Sequence, residues 1–406
     1  MTEPRGTAGP LELAGLGISA MLVPLGSTMI AVALPGIGAE FHRTPSELTH
    51  WLVNSYLIVN ILALVPAGRL GDRWGYRKTL SLGQFLFGVG CLLPIAWPAF
   101  EALVAARVLM ALGGALMVPT VMALFRIAVP ADRLHRVFGY FGAMMGIAAA
   151  IGPSLGGLLV HHFGWPSIFV MNLPPLLLSA FFAASFFRSR TEGHRSASAT
   201  PGWAATAVAF FRTPAFTAGC MVVALLNLGM YTLLFELPYL LQLRYQWGAG
   251  QSGPWMTAFM ISMMAGSAIG GRLAERRGPR TACLSGSLCS AAGFAWLALS
   301  PSAAGQMQVV ASLVLAGGGL GLAGAPSQSA ALGSVDRAMS GVASGVIWIA
   351  RYLGGVVGIT MLASLLAAPG GAQSLAQHHR VVLVLAASLL LAAVVSLWLP
   401  GRPRSA

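Results

Sequence analysis

One eleven-residue pattern occurs twice in this chain, and each copy lies between two apolar stretches long enough to cross a bilayer. The first copy occupies residues 68–78 (GRLGDRWGYRK) and the second occupies residues 271–281 (GRLAERRGPRT). The copies begin 203 residues apart, which is half the length of the 406-residue chain. A basic turn repeated at half the chain length predicts two similar halves, whose membrane helices enter the bilayer with the same topology.

The composition excludes a water-soluble fold. Apolar residues make up 56% of the chain and charged residues only 9%, so most of the chain must lie in lipid rather than around one soluble core. The apolar stretches have the length of membrane helices, and we therefore expect an all-α membrane protein. We predict twelve transmembrane helices, at residues 11–34, 47–67, 79–97, 102–125, 137–160, 167–187, 215–241, 252–271, 282–300, 306–330, 338–366 and 380–399.

These helices divide into two sets of six. Residues 188–214 form the longest polar stretch, which is typical of a cytoplasmic linker. The N-terminal half is then residues 1–187, and the C-terminal half is residues 215–406. The apolar run at residues 11–34 is longer than the core of a signal peptide, so we expect the first helix to be retained.

The distribution of basic residues predicts the orientation. With the N-terminus inside, 19 of the 24 basic residues fall in cytoplasmic segments, whereas the outer loops hold only Arg43, Arg244 and Arg380. This asymmetry places both termini in the cytoplasm. It also explains the net charge of +13 without a nucleic-acid partner, because the arginines lie in short turns between helices and form no continuous face.

The motifs of enzymes and metal proteins are absent from the sequence. Cys91, Cys220, Cys283 and Cys289 fall inside predicted helices without CxxC spacing, which argues against disulfides or a zinc site. The only lysine, Lys78, lies outside any ATP-binding loop, and no hydrolase or metalloprotease motif occurs. We expect no catalysis, no cofactor and no metal, so energy must come from an ion gradient, a partner or the substrate's own gradient.

The repeated turn resembles the loop between the second and third helices of the major facilitator superfamily. In that family the acidic residue of the turn helps to latch the two halves on the cytoplasmic side. The alternative is that the arginines only fix topology, but topology requires neither the repeated glycines nor the acid. The predicted gating residues are Gly68, Gly71, Asp72, Arg73, Gly75 and Arg77 in the first copy, and Gly271, Glu275, Arg276 and Gly278 in the second.

The fifth predicted helix is rich in glycine. Residues 152–157 (GPSLGG) resemble the antiporter motif of drug exporters in this superfamily. Small residues four apart also allow close helix contact, so packing alone is an alternative explanation. The residues of this motif are Gly142, Gly146, Gly152, Pro153, Gly156 and Gly157.

Other segments resemble the drug/proton antiporter branch, which usually has fourteen spans. They are residues 33–35 (ALP), 51–56 (WLVNSY) and 165–174 (WPSIFVMNLP). Residues 210–216 (FFRTPAF) resemble the segment that follows the two extra central helices of that branch, but here they directly follow the polar linker. The resemblance therefore implies a twelve-span version.

Two departures from that branch affect the expected mechanism. The first helix of those exporters commonly carries an Asp in a Leu-Asp-Ser-Thr run, and this chain has Gly26 at that position. The pattern Arg-x-x-Gln-Gly of the fourth helix keeps only its arginine, Arg107. Proton coupling therefore cannot be transferred from the family without another acidic residue.

Three charged residues lie deep within predicted helices, and they are Glu236, Arg107 and Arg351. A charge at mid-bilayer costs about 2.5–3.5 kcal/mol on insertion scales, so such residues usually face a cavity, a partner or an ion path. Glu236 is the main candidate for proton or substrate coupling, with a structural ion pair as the alternative. Arg107 and Arg351 resemble functional arginines of the family, although each can instead bond helix carbonyls.

The resemblance also implies a central cavity between the halves. Methionines, aromatic rings and a few polar groups suit varied lipophilic ligands, although each such residue can equally well pack against another helix or lipid. The candidate cavity residues are Asn54, Tyr56, Met117, Met144, Asn227, Tyr231, Phe259, Met263, Trp348 and Tyr352.

Together these features predict a monomeric transporter in a bacterial cytoplasmic membrane. Its expected partners are the lipid bilayer, a small-molecule substrate and protons. The expected activity is proton-coupled export of lipophilic or cationic drugs or metabolites by alternating access. Two alternatives stay open, namely an uptake symporter or facilitator for a small nutrient, and a membrane sensor that transports nothing.

Overall fold

The computed structural model describes residues 9–129, 131–188, 210–245, 249–300, 305–336, 340–366 and 375–401. Helices and short turns account for these residues, and no strand occurs among them, which confirms the predicted all-α fold. The helices are α1 (Pro10–Phe41), α2 (Pro45–Leu48), α3 (Ser55–Trp74), α4 (Tyr76–Ala96), α5 (Phe100–Ala128), α6 (Ala131–Phe163), α7 (Ser167–Val170), α8 (Leu173–Arg188), α9 (Pro214–Tyr245), α10 (Ala249–Arg277), α11 (Pro279–Leu299), α12 (Gln306–Gly333), α13 (Ser340–Leu366) and α14 (Leu375–Val395).

Ten candidate membrane spans are present in the described part of the chain, as judged by length and apolar composition. They correspond to ten of the twelve predicted helices. The predicted span 47–67 is instead divided among α2, a π-helical turn at Thr49–Asn54 and α3. The predicted span 252–271 lies inside α10, where serine, threonine and glycine lower the hydropathy. The count of twelve spans and the cytoplasmic termini therefore remain predictions.

Contacts between Cα atoms divide the chain into two compact units. The first unit comprises Met1–Ala33 and Ile58–Ala199, and the second comprises Leu34–Leu57 and Thr200–Ala406. Most of the predicted linker lies outside the described residues, so the division into residues 1–187, 188–214 and 215–406 remains a prediction. Residues 34–57, from the predicted N-terminal half, group with the second unit.

Buried polar side chains hold helices together in the first unit. The Ser19 and Ser179 hydroxyls are hydrogen-bonded to each other. The Gln84 amide donates to both hydroxyls, at 3.0 Å and 3.1 Å. Hydrogen bonds of this kind stabilise contacts between membrane helices, where lipid offers no alternative partner. They join α1, α4 and α8.

Apolar packing joins α9, α12 and α13 in the second unit. Phe216 and Val223 of α9 lie in one buried cluster with Ala331 of α12 and Ile347 of α13. A Cβ atom at Gly219 of α9 would lie 2.7 Å from the Ala331 Cβ, so α9 and α12 pack closely. This cluster lies on α9 and α13, the two helices that also carry Glu236 and Arg351.

Candidate functional site

The two copies of the repeated turn share one backbone conformation. Gly75 has φ 89° and ψ 145°, and Gly278 has φ 88° and ψ 156°. Each glycine N–H donates to the carbonyl oxygen four residues earlier, at 3.1 Å to Gly71 and at 2.9 Å to Ala274. Residues other than glycine rarely adopt such positive φ values. The sequence repeat is therefore also a structural repeat.

The other gating residues differ in their surroundings. Gly68 and Gly271 lie in helices with open space beside them, whereas Gly71 is close to the Tyr76 ring. Glu275 and Arg276 are exposed and form no ion pair within the described ranges, and Arg73 and Arg77 are exposed as well. The side chain of Asp72 lies outside the described residues, so the cytoplasmic latch remains a prediction.

One basic residue of the second copy has a role that the sequence did not predict. Arg280 donates from its side-chain Nε to the Leu399 carbonyl oxygen at 2.9 Å. Its backbone N–H donates to the Pro400 carbonyl oxygen at 3.2 Å. The second turn is thus attached to the segment that follows α14. No sequence signal identifies this contact, because its residues lie more than a hundred positions apart.

The glycine motif of α6 packs against α1 within the first unit. A Cβ atom at Gly152 would overlap the Thr28 hydroxyl, and one at Gly156 would lie 3.0 Å from the Met29 Cα. Pro153 lies inside α6 between these positions. Gly146 and Gly157 also lie in α6, and the surroundings of Gly142 fall outside what the structure describes. The motif therefore contacts the helix segment where the family acid is missing.

The position of that missing acid has room for a side chain. A Cβ atom at Gly26 would lie 3.5 Å from the Met110 Cε and 3.8 Å from the Asn172 Oδ1, which are ordinary packing distances. Arg107, one turn before Met110, is only 1% exposed. It lies within electrostatic range of the Cys91 thiol. The first unit therefore holds a buried cation in α5, near the place where the family acid would stand.

Glu236 is paired with a histidine that the sequence did not indicate. The Glu236 carboxylate of α9 is hydrogen-bonded to His378 Nδ1 of α14, and both side chains are fully buried. The second carboxylate oxygen, His378 Nε2 and the buried Tyr239 hydroxyl have no hydrogen-bond partner within the described chain. Three polar groups thus form one buried cluster.

Arg351 lies among aromatic side chains of the second unit. Its Cζ lies 4.6 Å from the centre of the Trp348 ring, and the Trp348 and Tyr352 rings are 5.9 Å apart. Tyr231 and Tyr352 are within electrostatic range of the guanidinium, and Tyr56 is within range of Tyr352. Three of the predicted cavity residues are therefore gathered around Arg351, and a fourth, Tyr56, adjoins Tyr352.

Two predicted cavity residues of the second unit make specific hydrogen bonds. Asn54 donates from Nδ2 to the Thr360 hydroxyl at 3.0 Å, and Asn227 donates to the Val223 carbonyl oxygen of its own helix at 2.8 Å. The Asn227 amide therefore satisfies a backbone acceptor, whereas Asn54 connects the π-helical turn to α13.

The remaining cavity candidates take part in helix packing. The backbones of Phe259 and Met263 in α10 approach Gly317 and Gly321 of α12 closely. In the first unit, Met117 contacts Gly83, and Met144 lies 3.1 Å from a Cβ position at Gly17. Ligand contact by any of these residues remains a prediction.

This fold, with buried charges between apolar helices, is that of a multi-pass membrane protein. The family described as Major Facilitator Superfamily matches residues 16–359. The chain belongs to this family.

Several curated bacterial proteins are similar over most of this chain. An uncharacterized MFS-type transporter, YvkA of Bacillus subtilis, is 31% identical over 86% of this chain and 89% of its own length. The tetracenomycin C resistance and export protein of Streptomyces glaucescens is 27% identical over 90% of this chain and 77% of its own length. The multidrug efflux pump LfrA of Mycolicibacterium smegmatis is 28% identical over 88% of this chain and 81% of its own length.

A solved structure shows the same fold. A bacterial homologue of the human lysosomal transporter Spinster, in an inward-facing and unoccupied conformation, covers 96% of this chain with a TM-score of 0.76. The alignment includes 97% of that chain at 15% sequence identity. This similarity agrees with the predicted major facilitator architecture.

Proposed function

We propose that this protein is a proton-coupled exporter of lipophilic drugs or metabolites, which acts as a monomer in a bacterial cytoplasmic membrane. Two of the similar proteins are described as an export protein and an efflux pump. The contact of the GPSLGG segment with α1 supports the same branch. The observation that carries the coupling is the fully buried pair of Glu236 and His378.

The pair offers a site that gains or loses one proton. A carboxyl and an imidazole that share one proton form a neutral unit, either as two neutral groups or as an ion pair. A second proton gives the unit a charge of +1, and loss of the shared proton gives −1. Either charge is costly in a buried apolar place, so proton exchange favours helix movements that let water reach the pair.

Few ionisable side chains adjoin the Glu236 carboxyl in the described chain. Tyr239 lies one turn after Glu236 on α9, and His378 faces Glu236 from α14. These are the titratable groups next to the carboxyl in the described chain.

In the proposed cycle the pair takes up a proton from outside and releases it to the cytoplasm, while a substrate leaves in the opposite direction. In this proposal Arg107 either stabilises the packing of the first unit or takes part in a proton path through that unit.

The test uses everted membrane vesicles that carry an acid interior and a pH-sensitive dye. A panel of lipophilic cations, neutral compounds and anions is added to vesicles with the wild type or with Glu236→Gln. We expect a transported compound to collapse the gradient in vesicles with the wild type but not in vesicles with Glu236→Gln. Glu101→Gln is the matched control, because Glu101 is exposed at the start of α5, and it should behave like the wild type.

Other outcomes are equally informative. If Glu236→Gln collapses the gradient as well as the wild type does, proton antiport stands but the buried pair has no part in it. If no compound changes the gradient in any vesicle, proton-coupled export is wrong for this panel. Uptake of labelled compounds into right-side-out cells would then test the alternative below.

Uptake of a small nutrient by symport or facilitated diffusion is the second candidate. Gly26 favours it, because the acid that the exporter branch commonly carries in the first helix is missing there. The direction of flux separates the candidates. Accumulation inside energised cells supports uptake, and accumulation inside everted vesicles supports export.

A further inference from the structure

We propose that Arg351 binds an oxyanion group of the transported molecule, so that the preferred substrates are lipophilic aromatic acids rather than cations. The proposal rests on the proposed transport function and assigns a chemical class to its substrate. Its site is defined by Arg351, Trp348, Tyr352 and Tyr231, all of which belong to the second unit.

Close packing of α9 and α13 fixes the position of the site. A Cβ atom at Gly354 would overlap the Ala224 carbonyl oxygen, so the two backbones touch one turn after Arg351. A Cβ atom at Gly355 would lie 2.9 Å from the Tyr231 ring and 3.1 Å from Leu57. The glycines let Tyr231 lie against α13, beside the arginine. The site is therefore built from two helices in tight contact.

In the described part of the chain, no anionic side chain pairs with the Arg351 guanidinium. Arg351 forms no hydrogen bond and no ion pair within the described chain, and its buried Nε has no acceptor. The described groups within electrostatic range are the tyrosines Tyr231 and Tyr352. Glu236, the other charged residue of α9 and α13 predicted to lie deep in the membrane, is bonded to His378. Since an uncompensated charge in a membrane is costly, an anionic partner from outside the chain would be stabilised here.

The contact between Arg351 and Trp348 leaves guanidinium N–H donors available to a ligand. An aromatic ring binds a guanidinium through the face of the cation, whereas the N–H groups point outward from its edge. Trp348 lies 4.6 Å from the Arg351 Cζ, and the side chains of Trp348, Arg351 and Tyr231 are only half-buried. A carboxylate can therefore accept two parallel hydrogen bonds from the edge.

The same surroundings select the rest of the molecule. The half-buried rings of Tyr231 and Trp348 offer surfaces on which an aromatic skeleton can stack, and the buried Tyr352 ring supports Trp348 from behind at 5.9 Å. A cationic molecule of the same shape would meet the fixed positive charge of Arg351 and would be repelled. The expected order of preference is thus acid, then neutral analogue, then cation.

The experiment compares three probes of one size with the purified full-length protein in nanodiscs. The probes are 2-naphthoate, 2-naphthylmethanol and 2-naphthylmethylammonium, and binding is measured by calorimetry. A charge-assisted hydrogen bond predicts that the acid binds at least about tenfold more tightly than the alcohol. Arg351→Leu should remove this preference while it leaves binding of the alcohol within about twofold. Arg351→Lys should retain part of the preference, because it keeps the charge but loses the planar fork.

The comparison within the wild type decides the proposal even if the variants fold poorly. Equal binding of acid and alcohol, or tighter binding of the ammonium probe, would overturn it. Retention of the full preference in well-folded Arg351→Leu would also overturn it, because the anion would then bind elsewhere. The vesicle assay separates this result from the transport function. Acid binding without any effect on a pH gradient would contradict proton-coupled export but not the anion site. Gradient collapse by cations alone would contradict the anion site but not proton-coupled export.

Discussion

Glu236 and His378 form a buried contact between two helices, and the proposed function gives the same pair a role in proton exchange. The two side chains are fully buried on α9 and α14, where a neutral shared-proton pair joins helices as a polar contact. Removal of one partner leaves the other in an apolar site without its hydrogen bond, whereas removal of both leaves no polar group to satisfy. The pair should therefore behave as a unit when it is mutated.

We predict that His378→Leu lowers the thermal stability of the protein in detergent, at a cost of about 3–5 kcal/mol if Glu236 keeps its charge. The double variant Glu236→Leu with His378→Leu should be less destabilised than the sum of the single variants. Melting temperatures of the four proteins measure this coupling. His379→Leu, with the neighbouring half-buried histidine, is the matched control and should not couple to Glu236→Leu. Additive effects of the two pair mutations would show that they act independently.

The sequence identified one member of this pair but not the other. Glu236 is recognisable because it is an isolated charge within an apolar stretch, and Arg351 is recognisable for the same reason. His378 lies 142 positions after Glu236, two residues before the predicted start of its helix. Histidines near helix ends are common, so only the packing of α9 against α14 shows which of them meets the carboxylate.

At the scale of the element, the repeated turn combines a helix end, a glycine and a new helix. Its sequence predicts a sharp bend, and both copies have the positive φ that the bend requires. The first glycine of each copy, Gly68 or Gly271, lies instead in a helix beside open space. A positive φ therefore explains one glycine of each copy but not the other.

We predict that Gly278→Ala destabilises the protein by about 1–3 kcal/mol, because a Cβ atom is strained where a positive φ is combined with an extended ψ. Gly271→Ala is the control in the same motif. It should be neutral or stabilising by about 0.5–1 kcal/mol, because alanine favours helix over glycine. Thermal unfolding of both variants in detergent tests this contrast. An equal loss of stability in the two variants would mean that side-chain contacts decide the effect, and not the backbone conformation.

Two of the twelve predicted spans, 47–67 and 252–271, do not stand out by length and apolar composition in the described part of the chain, so they remain predictions. Residues 47–67 contain a π-helical turn, which hydropathy cannot reveal. Residues 252–271 form part of a long helix in which small and polar side chains lower the mean hydropathy, and Gly266 and Gly270 of this segment approach the α12 backbone closely. The ten most apolar helices were predictable because length and composition alone identify a membrane span.

For the molecule as a whole, the contact of residues 34–57 with α13 is the informative feature. These residues precede and include the π-helical turn, and they group with the C-terminal part of the chain in the second unit. The Asn54 amide donates to the Thr360 hydroxyl at 3.0 Å across this contact. The predicted topology places the loop before residue 47 outside the cell. We therefore expect this contact to close the outer side and to open during transport.

A reversible cross-link at this contact tests the proposed rocking of the two halves. We predict that Asn54→Cys with Thr360→Cys forms a disulfide under mild oxidation and that transport then stops, because the outer side can no longer open. Reduction should restore transport. Each single cysteine variant, treated with the same oxidant, is the control for the native cysteines, which include the half-buried Cys289. Flux is measured in the vesicle assay, and the cross-linked fraction is measured by mass spectrometry. Transport at the parental rate by fully cross-linked protein would show that this contact stays closed throughout the cycle, and the opening would then have to occur between other helices.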